Sequence, residues 1–153
     1  ICTLYGAKRF AEEMIKRITF KYAYDEIRIA TYKGAVSSAA DQGVITHVKE
    51  LSASLSGKHV LVFEDSVDTG FSAVYLKYNL GLHHPLSLKI CTLLDKPDGR
   101  KPWIKIIPEY CCFTLRGKPV LAGFGLDFAS SFRERNDVIM LKQTFCEQHQ
   151  KKL

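Results

Sequence analysis

Glu64, Asp65 and Asp68, the hydroxyls of Thr69 and Ser72, and Gly70 all fall within Leu61-Val62-Phe63-Glu64-Asp65-Ser66-Val67-Asp68-Thr69-Gly70-Phe71-Ser72. An apolar run ends in adjacent acids and passes straight into Asp-Thr-Gly-x-Ser. Gly70 lets the backbone turn tightly, and the amides from Asp68 to Ser72 can converge on an anion at the start of a following helix. The hydroxyls of Thr69 and Ser72 can donate to that same anion. Carboxylates so close to a phosphate cradle would repel it unless they bind sugar hydroxyls or a divalent cation. The chemistry expected here is that of a phosphorylated sugar held with magnesium. The competing reading is a solvated acidic turn that caps a helix. An apolar strand before the turn and a helical pattern after it favour the binding site, because they are the context such a motif needs.

Those residues must be carried by a strand and a helix, and the chain supplies both. The run 59–63 reads as a buried strand ending in the acids, and Phe71, Val74, Tyr75 and Tyr78 repeat at helical spacing until Gly81 and Pro85 stop the pattern. Upstream, 1–4 is a short apolar run closed by Gly6. Ala7, Phe10, Ala11, Met14, Ile15 and Ile18 then mark an amphipathic helix, and 25–32 alternates as a strand. Small and polar residues over 33–43 read as a mobile loop, 44–48 as a strand, and 51–58 as a connection. Downstream, 86–94 is a core strand followed by a basic, polar stretch over 95–105. Strands are expected at 110–115, 120–126 and 137–141, with a short helical piece around Phe132. Alternating strands and helices predict an α/β fold with a mainly parallel sheet covered on both faces.

Composition bounds the rest. With 22 basic and 16 acidic residues the net charge is +6, but the basic residues are spread along the 153-residue chain and not gathered with aromatics on one segment, which argues against nucleic acid as the partner. No apolar run is long enough to span a membrane. The 5 cysteines are odd in number and form no CxxC pair, so a disulfide framework or zinc site is not expected and a reducing, cytoplasmic setting is. His83 and His84, beside Pro85, read as a surface turn. Cys111 and Cys112 read as the inner and outer residues of one strand, and Trp103 as an exposed loop aromatic.

The stretch VLVFEDSVDTGFS resembles the phosphoribosyl-pyrophosphate (PRPP) motif of the type I phosphoribosyltransferases, in their hypoxanthine-guanine branch. SLKICTLLDKP, Gly123-Phe124-Gly125-Leu126-Asp127-Phe128 and Phe132-Arg133 follow in the family's order and spacing, so the resemblance runs the length of the chain. It implies a single domain over 1–153 with that family's fold, a twisted parallel sheet with a small hood. It also implies transfer of a phosphoribosyl group from PRPP to hypoxanthine or guanine, giving purine nucleotide and pyrophosphate. The chain begins at Ile1, inside what reads as a core strand, so the family's preceding helix and strand are expected to be missing.

Residue by residue, the resemblance gives Glu64 and Asp65 the ribose hydroxyls and Mg2+, with Asp127 as a further acid near the metal and the base. Asp68 becomes the proton carrier at the purine and Arg133 the arginine that reaches pyrophosphate. Thr69, Gly70 and Ser72 would hold the 5′-phosphate, with Val67, Asp68 and Phe71 as further PRPP-binding residues. Tyr5 and Gly6 would form the pyrophosphate loop, and Thr31 and Tyr32 would open the loop that closes over the site. Lys96, Val120 and Leu121 fall at the base, with Lys96 donating to a 6-oxo group. There are departures from the family pattern. Tyr5 stands where a lysine is common, and Val120 where an aromatic ring usually stacks on the purine, so a stacking contribution of about 1–3 kcal/mol is expected to be reduced. Homodimers or homotetramers are the implied assembly. A sensor of the same fold that binds PRPP without catalysis is the alternative.

Overall fold

The computed structural model describes residues 1–32, 44–49 and 51–150. Its shortest core strand, β1 (Cys2–Leu4), stands in the middle of the main sheet, where Cys2 is fully buried. Helix α1 (Lys8–Ile15) leads from it to β2 (Glu26–Tyr32), which pairs with β1 in parallel, Cys2 opposite Glu26 and Leu4 opposite Arg28. On the far side of β2 lies β3 (Val44–Lys49), the antiparallel member of the sheet. The chain then returns to the centre as β4 (His59–Val67), parallel to β1 on its other flank. From there α2 (Phe71–Gly81), β5 (Ser87–Asp95) and β6 (Tyr110–Thr114) step outward in the opposite direction, again in parallel. The order is β3-β2-β1-β4-β5-β6. Because the winding reverses between β1 and β4, their carboxyl ends flank a crevice, the place where open α/β sheets take their ligands.

Side chains cover the sheet on both faces. Phe10 and Ala11 of α1 pack with Cys2, Phe63, Cys91 and Leu93, and the Phe10 and Phe63 rings meet edge to face with centroids 5.8 Å apart. The other face gathers Ile27, Val60, Val62 and Ile90 against Ala73, Leu76 and Leu80 of α2. The period expected of α2 is present, but its buried stripe is Ala73, Leu76 and Leu80. Val74 and Tyr78 point outward, 43% and 68% exposed.

Several boundaries differ from the sequence reading. β4 carries on through the acids to Val67, because the hydrogen bonding with β5 continues to Asp95. The strand expected over 120–126 shrinks to β7 (Leu121–Ala122), which pairs with β8 (Ile139–Met140) in a separate small sheet. Positive φ at Gly123, Phe124 and Gly125 breaks the extended run. The region around Phe132 is a series of turns, not a helix, with positive φ at Ala129, Ser130 and Phe132. A helix that the sequence reading did not anticipate, α3 (Gln143–Gln150), follows β8. Cys111 and Cys112 are both exposed instead of facing inward and outward, since β6 is an edge strand with neither face covered. His83 and His84 lie on a surface turn, as expected. The loop expected at 33–43 falls outside the described residues.

Candidate active site

The acid pair sits near the end of β4, one strand from the loop that follows β1. Glu64 is buried, and its Oε1 has no hydrogen-bond partner. Burial, reinforced by the neighbouring Asp65 charge, holds its carboxyl well above the ordinary carboxylate range. A buried acceptor left unmatched costs about 1–3 kcal/mol, so this oxygen is open to an incoming donor. The adjacent Thr3 hydroxyl, which acts on the Glu64 carboxyl in the lowering sense, donates to the Phe63 carbonyl at 2.9 Å.

Asp65 accepts the Ser66 N–H at 2.7 Å, and burial raises its carboxyl while Arg133 acts in the opposite sense. The loop from β1, which contains a cis peptide between Leu4 and Tyr5, presses Gly6 onto this carboxylate. A Cβ on Gly6 would lie 1.7 Å from Asp65 Oδ2, so only glycine fits there.

The turn into α2 is held from behind. Gly70, at φ 87°, is the N-cap, and no side chain caps the helix. The carbonyls of Val67 and Asp68 both accept from Arg100 Nη1, that of Val67 also accepts the Lys96 N–H at 3.0 Å, and that of Thr69 accepts the Lys101 N–H at 3.3 Å. Arg100 further donates from Nε to the Ile106 carbonyl at 3.4 Å and pairs with Asp95, the two side chains being only 11% and 14% exposed. With the carbonyls of 67–69 tied to the 96–101 segment, the amides of the first turn of α2 are left without partners among the described residues, as helix N-termini leave them. Thr69 is exposed at the tip, while Gly70 is buried beneath Ile104 and Ile106, whose methyls would stand 2.7 and 3.0 Å from an added Cβ. An anion bound here would meet oriented N–H groups and the positive end of α2.

On the outer side of that turn, Asp68 Oδ2 lies 2.5 Å from Lys96 Nζ, which also reaches the Pro119 carbonyl at 3.4 Å. Gly99 backs against Asp68, where a Cβ would fall 1.8 Å from Oδ1. Val120, 38% exposed, and the half-buried Leu121 follow Pro119 at the start of β7. The nearby Phe124 ring does not take over the stacking position. It packs on the α1 side of the sheet, with the Arg9 guanidinium 5.4 Å from its centroid.

Asp127 and Arg133 complete the inner side. Arg133 Nη2 donates to Asp127 Oδ1 at 2.5 Å and Nη1 to the Gly125 carbonyl at 2.6 Å, while Asp127 Oδ2 accepts the Ser130 N–H at 3.2 Å. Gly125 packs on the β1 loop so closely that a Cβ would be 2.3 Å from the Gly6 carbonyl. This contact sets Asp127 and Arg133 beside Asp65, whose ionisation both of them influence.

The candidate residues therefore form two groups around one crevice. Tyr5, Gly6, Glu64, Asp65, Asp127 and Arg133 lie on the inner side, and Val67 to Ser72, Lys96, Val120 and Leu121 on the outer. Thr31 and Tyr32 end β2, in register with Ile45 and Val44. Among the described residues no three His, Cys, Asp or Glu side chains form a ready-made metal cage. Arg100 and Gly99 were not picked out from the sequence, and Gly125 was read only as part of a motif, with no contact of its own. An arginine in a basic loop reads as solvated, and only the fold shows which carbonyls it gathers.

Residues 1–128, which carry this sheet and its acid pair, match the phosphoribosyl transferase domain family, and the chain belongs to that family. Among curated relatives, the hypoxanthine-guanine-xanthine phosphoribosyltransferase of Tritrichomonas foetus is 36% identical over 144 residues, covering 94% of this chain and 75% of that protein. A hypoxanthine-guanine phosphoribosyltransferase of Streptococcus pyogenes is 32% identical over 94% of this chain and 76% of its own length. Two solved structures agree in fold. The hypoxanthine-guanine phosphoribosyltransferase of Bacillus anthracis matches with TM-score 0.83 and 30% identity over 92% of this chain and 79% of that one. The hypoxanthine phosphoribosyltransferase of Staphylococcus aureus matches with TM-score 0.84 and 30% identity over 94% and 75%.

Proposed function

We infer that this chain is a purine-salvage phosphoribosyltransferase that moves the 5-phosphoribosyl group of PRPP to hypoxanthine or guanine, releasing pyrophosphate. The observation that carries this reading is the buried Glu64, with an unmatched oxygen, next to Asp65 and to a turn whose amides are bared by Arg100. A phosphate on the α2 terminus and a diol on the acid pair are the two ends of one ribose 5-phosphate. The relatives named for this chemistry point to the same substrates.

In this reading Thr69, Gly70, Phe71 and Ser72 hold the 5′-phosphate through backbone N–H groups and hydroxyls. Glu64 and Asp65 accept from the ribose hydroxyls. Mg2+ fits this donor set because it binds through one or two carboxylates plus phosphate oxygens and water, with no all-protein cage required. Glu64, Asp65 and Asp127 are the oxygens offered. When bound, it neutralises charge on the departing diphosphate. Asp68 manages the purine proton, and Lys96 donates to the 6-oxo group. Since these two side chains are ion-paired across 2.5 Å, an incoming 6-oxopurine must part them. The purine oxygen then replaces Asp68 on the ammonium, leaving the carboxylate free to take a proton. A 6-amino group offers no such acceptor, which excludes adenine.

The five cysteines are free thiols, and among the described residues no helix is long and apolar enough to cross a membrane. Both fit a cytoplasmic enzyme, which we take to be a single domain working as a homodimer or homotetramer. The test is release of pyrophosphate from PRPP and hypoxanthine with Mg2+, and its loss with a chelator. Asp68→Asn should lower kcat by roughly 10²–10⁴-fold while PRPP affinity stays within a few-fold. Tight PRPP binding with no pyrophosphate release by the wild type would select the non-catalytic sensor.

A further inference from the structure

The arginine assigned to pyrophosphate by resemblance, Arg133, donates to Asp127 and to the Gly125 carbonyl. A second guanidinium at the same crevice is differently placed. Arg28 lies on β2 opposite Leu4, the last residue of β1, and so stands beside the loop that carries Tyr5 and Gly6. Its Cζ is 4.7 Å from the centroid of the Tyr5 ring. Among the described residues no ion pair involves Arg28. The acid nearest along its own strand, Glu26, is held by Lys8 at 3.6 Å and by the Tyr24 hydroxyl at 3.0 Å.

A half-buried guanidinium without a carboxylate gains more from an incoming anion than one already paired, because part of its hydration is gone and no internal partner must be displaced. The aromatic face fixes the guanidinium plane and leaves its N–H edges for bidentate bonds to phosphate oxygens. Tyr5 is 53% exposed, so ring and guanidinium stand at the mouth of the crevice, while the next residue, Gly6, touches Asp65. An anion meeting Arg28 therefore lies alongside the acid pair, on the side of β1 away from the α2 terminus that takes the 5′-phosphate. We propose that Arg28, seated on the Tyr5 ring, binds the diphosphate group of PRPP and of the pyrophosphate product. This inference rests on the transferase reading above. It places a positive charge where the leaving group gathers negative charge as the anomeric C–O bond breaks, and that carbon's new bond forms to the purine nitrogen.

The experiment titrates Mg2+-pyrophosphate and inosine monophosphate separately into the wild type and Arg28→Gln, and measures KM for PRPP. Arg28→Gln should weaken pyrophosphate and raise the PRPP KM by roughly tenfold or more, with nucleotide affinity changed less than about twofold, since the nucleotide has no diphosphate. Moving the charge into the loop with Arg28→Gln plus Tyr5→Lys should restore most of the loss. Should Arg28→Gln fail to fold, Tyr5→Ala removes only the platform and should weaken pyrophosphate by roughly three- to tenfold. Unchanged pyrophosphate affinity, or equal losses for pyrophosphate and nucleotide, overturns the Arg28 assignment alone. A wild type that binds neither ligand overturns the transferase reading and this assignment with it.

Discussion

The two sides of the crevice are built from different materials. The phosphate side is mostly backbone, in that Arg100 and the amides of Lys96 and Lys101 fix the carbonyls of 67–69, and Gly70 is wedged under Ile104 and Ile106. The base side is made of side chains occupied with one another, Lys96 with Asp68, next to an exposed Val120. In the proposed reading one half is preorganised before any ligand arrives, whereas the other must exchange partners to bind. Rigid recognition is thus spent on the part common to all substrates of such an enzyme, and adjustable recognition on the part that varies.

Substitutions can break or sharpen that contrast. The largest effect is expected at Arg100. Arg100→Met leaves Asp95 buried without its partner and removes a donor from four carbonyls, so unfolding stability should fall by about 3–5 kcal/mol in the absence of ligand. A loss below about 1 kcal/mol by denaturant titration would mean that the turn holds itself. On the base side, Lys96→Ala should leave stability within about 0.5 kcal/mol but reduce discrimination between hypoxanthine and adenine by roughly 10–100-fold in kcat/KM. Unchanged base preference would remove Lys96 from recognition. Val120→Tyr should lower the KM for hypoxanthine by roughly five- to tenfold through stacking, leaving PRPP affinity unaltered.

The smallest effect tests the cost of preorganisation. Because burial raises the Glu64 carboxyl above its ordinary value, the folded protein keeps a proton that the unfolded chain has already lost. Stability therefore falls as pH rises through the window above the ordinary value of 4.5, until the folded group also ionises. Glu64→Gln should flatten that decline and raise ligand-free stability at neutral pH by about 1 kcal/mol, while weakening PRPP binding. A thermal-melt series against pH that is the same for both proteins would show that Glu64 is not the group responsible.

How much of this was readable in advance follows the range of the contacts. The strand, acid pair and Asp-Thr-Gly turn were legible because their signals are adjacent in sequence, whereas the reversal of winding between β1 and β4 was not, since alternating strands and helices imply a parallel sheet but not its strand order. The pairing of Asp68 with Lys96 was not, since both were assigned to the purine and neither assignment required that they touch. Arg100 was missed for a similar reason, as its partners lie up to 33 residues away. The strand expected through Gly123 and Gly125 failed because those glycines serve a close approach to Asp137 and Gly6 instead of a ladder. For α2, hydrophobicity alone chose Val74 and Tyr78, whereas packing against the sheet selected the smaller Ala73 with Leu76 and Leu80.

The segment from Lys96 to Lys101 is fastened to the phosphate turn at three successive residues, and its first member is also the lysine we propose for the base. Its length is consequently a shared ruler. Adding or deleting one residue there would shift the grip on both ends of the substrate together, whereas exchanging a side chain alters only one. New base preferences in this scaffold should therefore arise by replacement within a segment of constant length, and homologues that differ in what they accept should still align there without gaps.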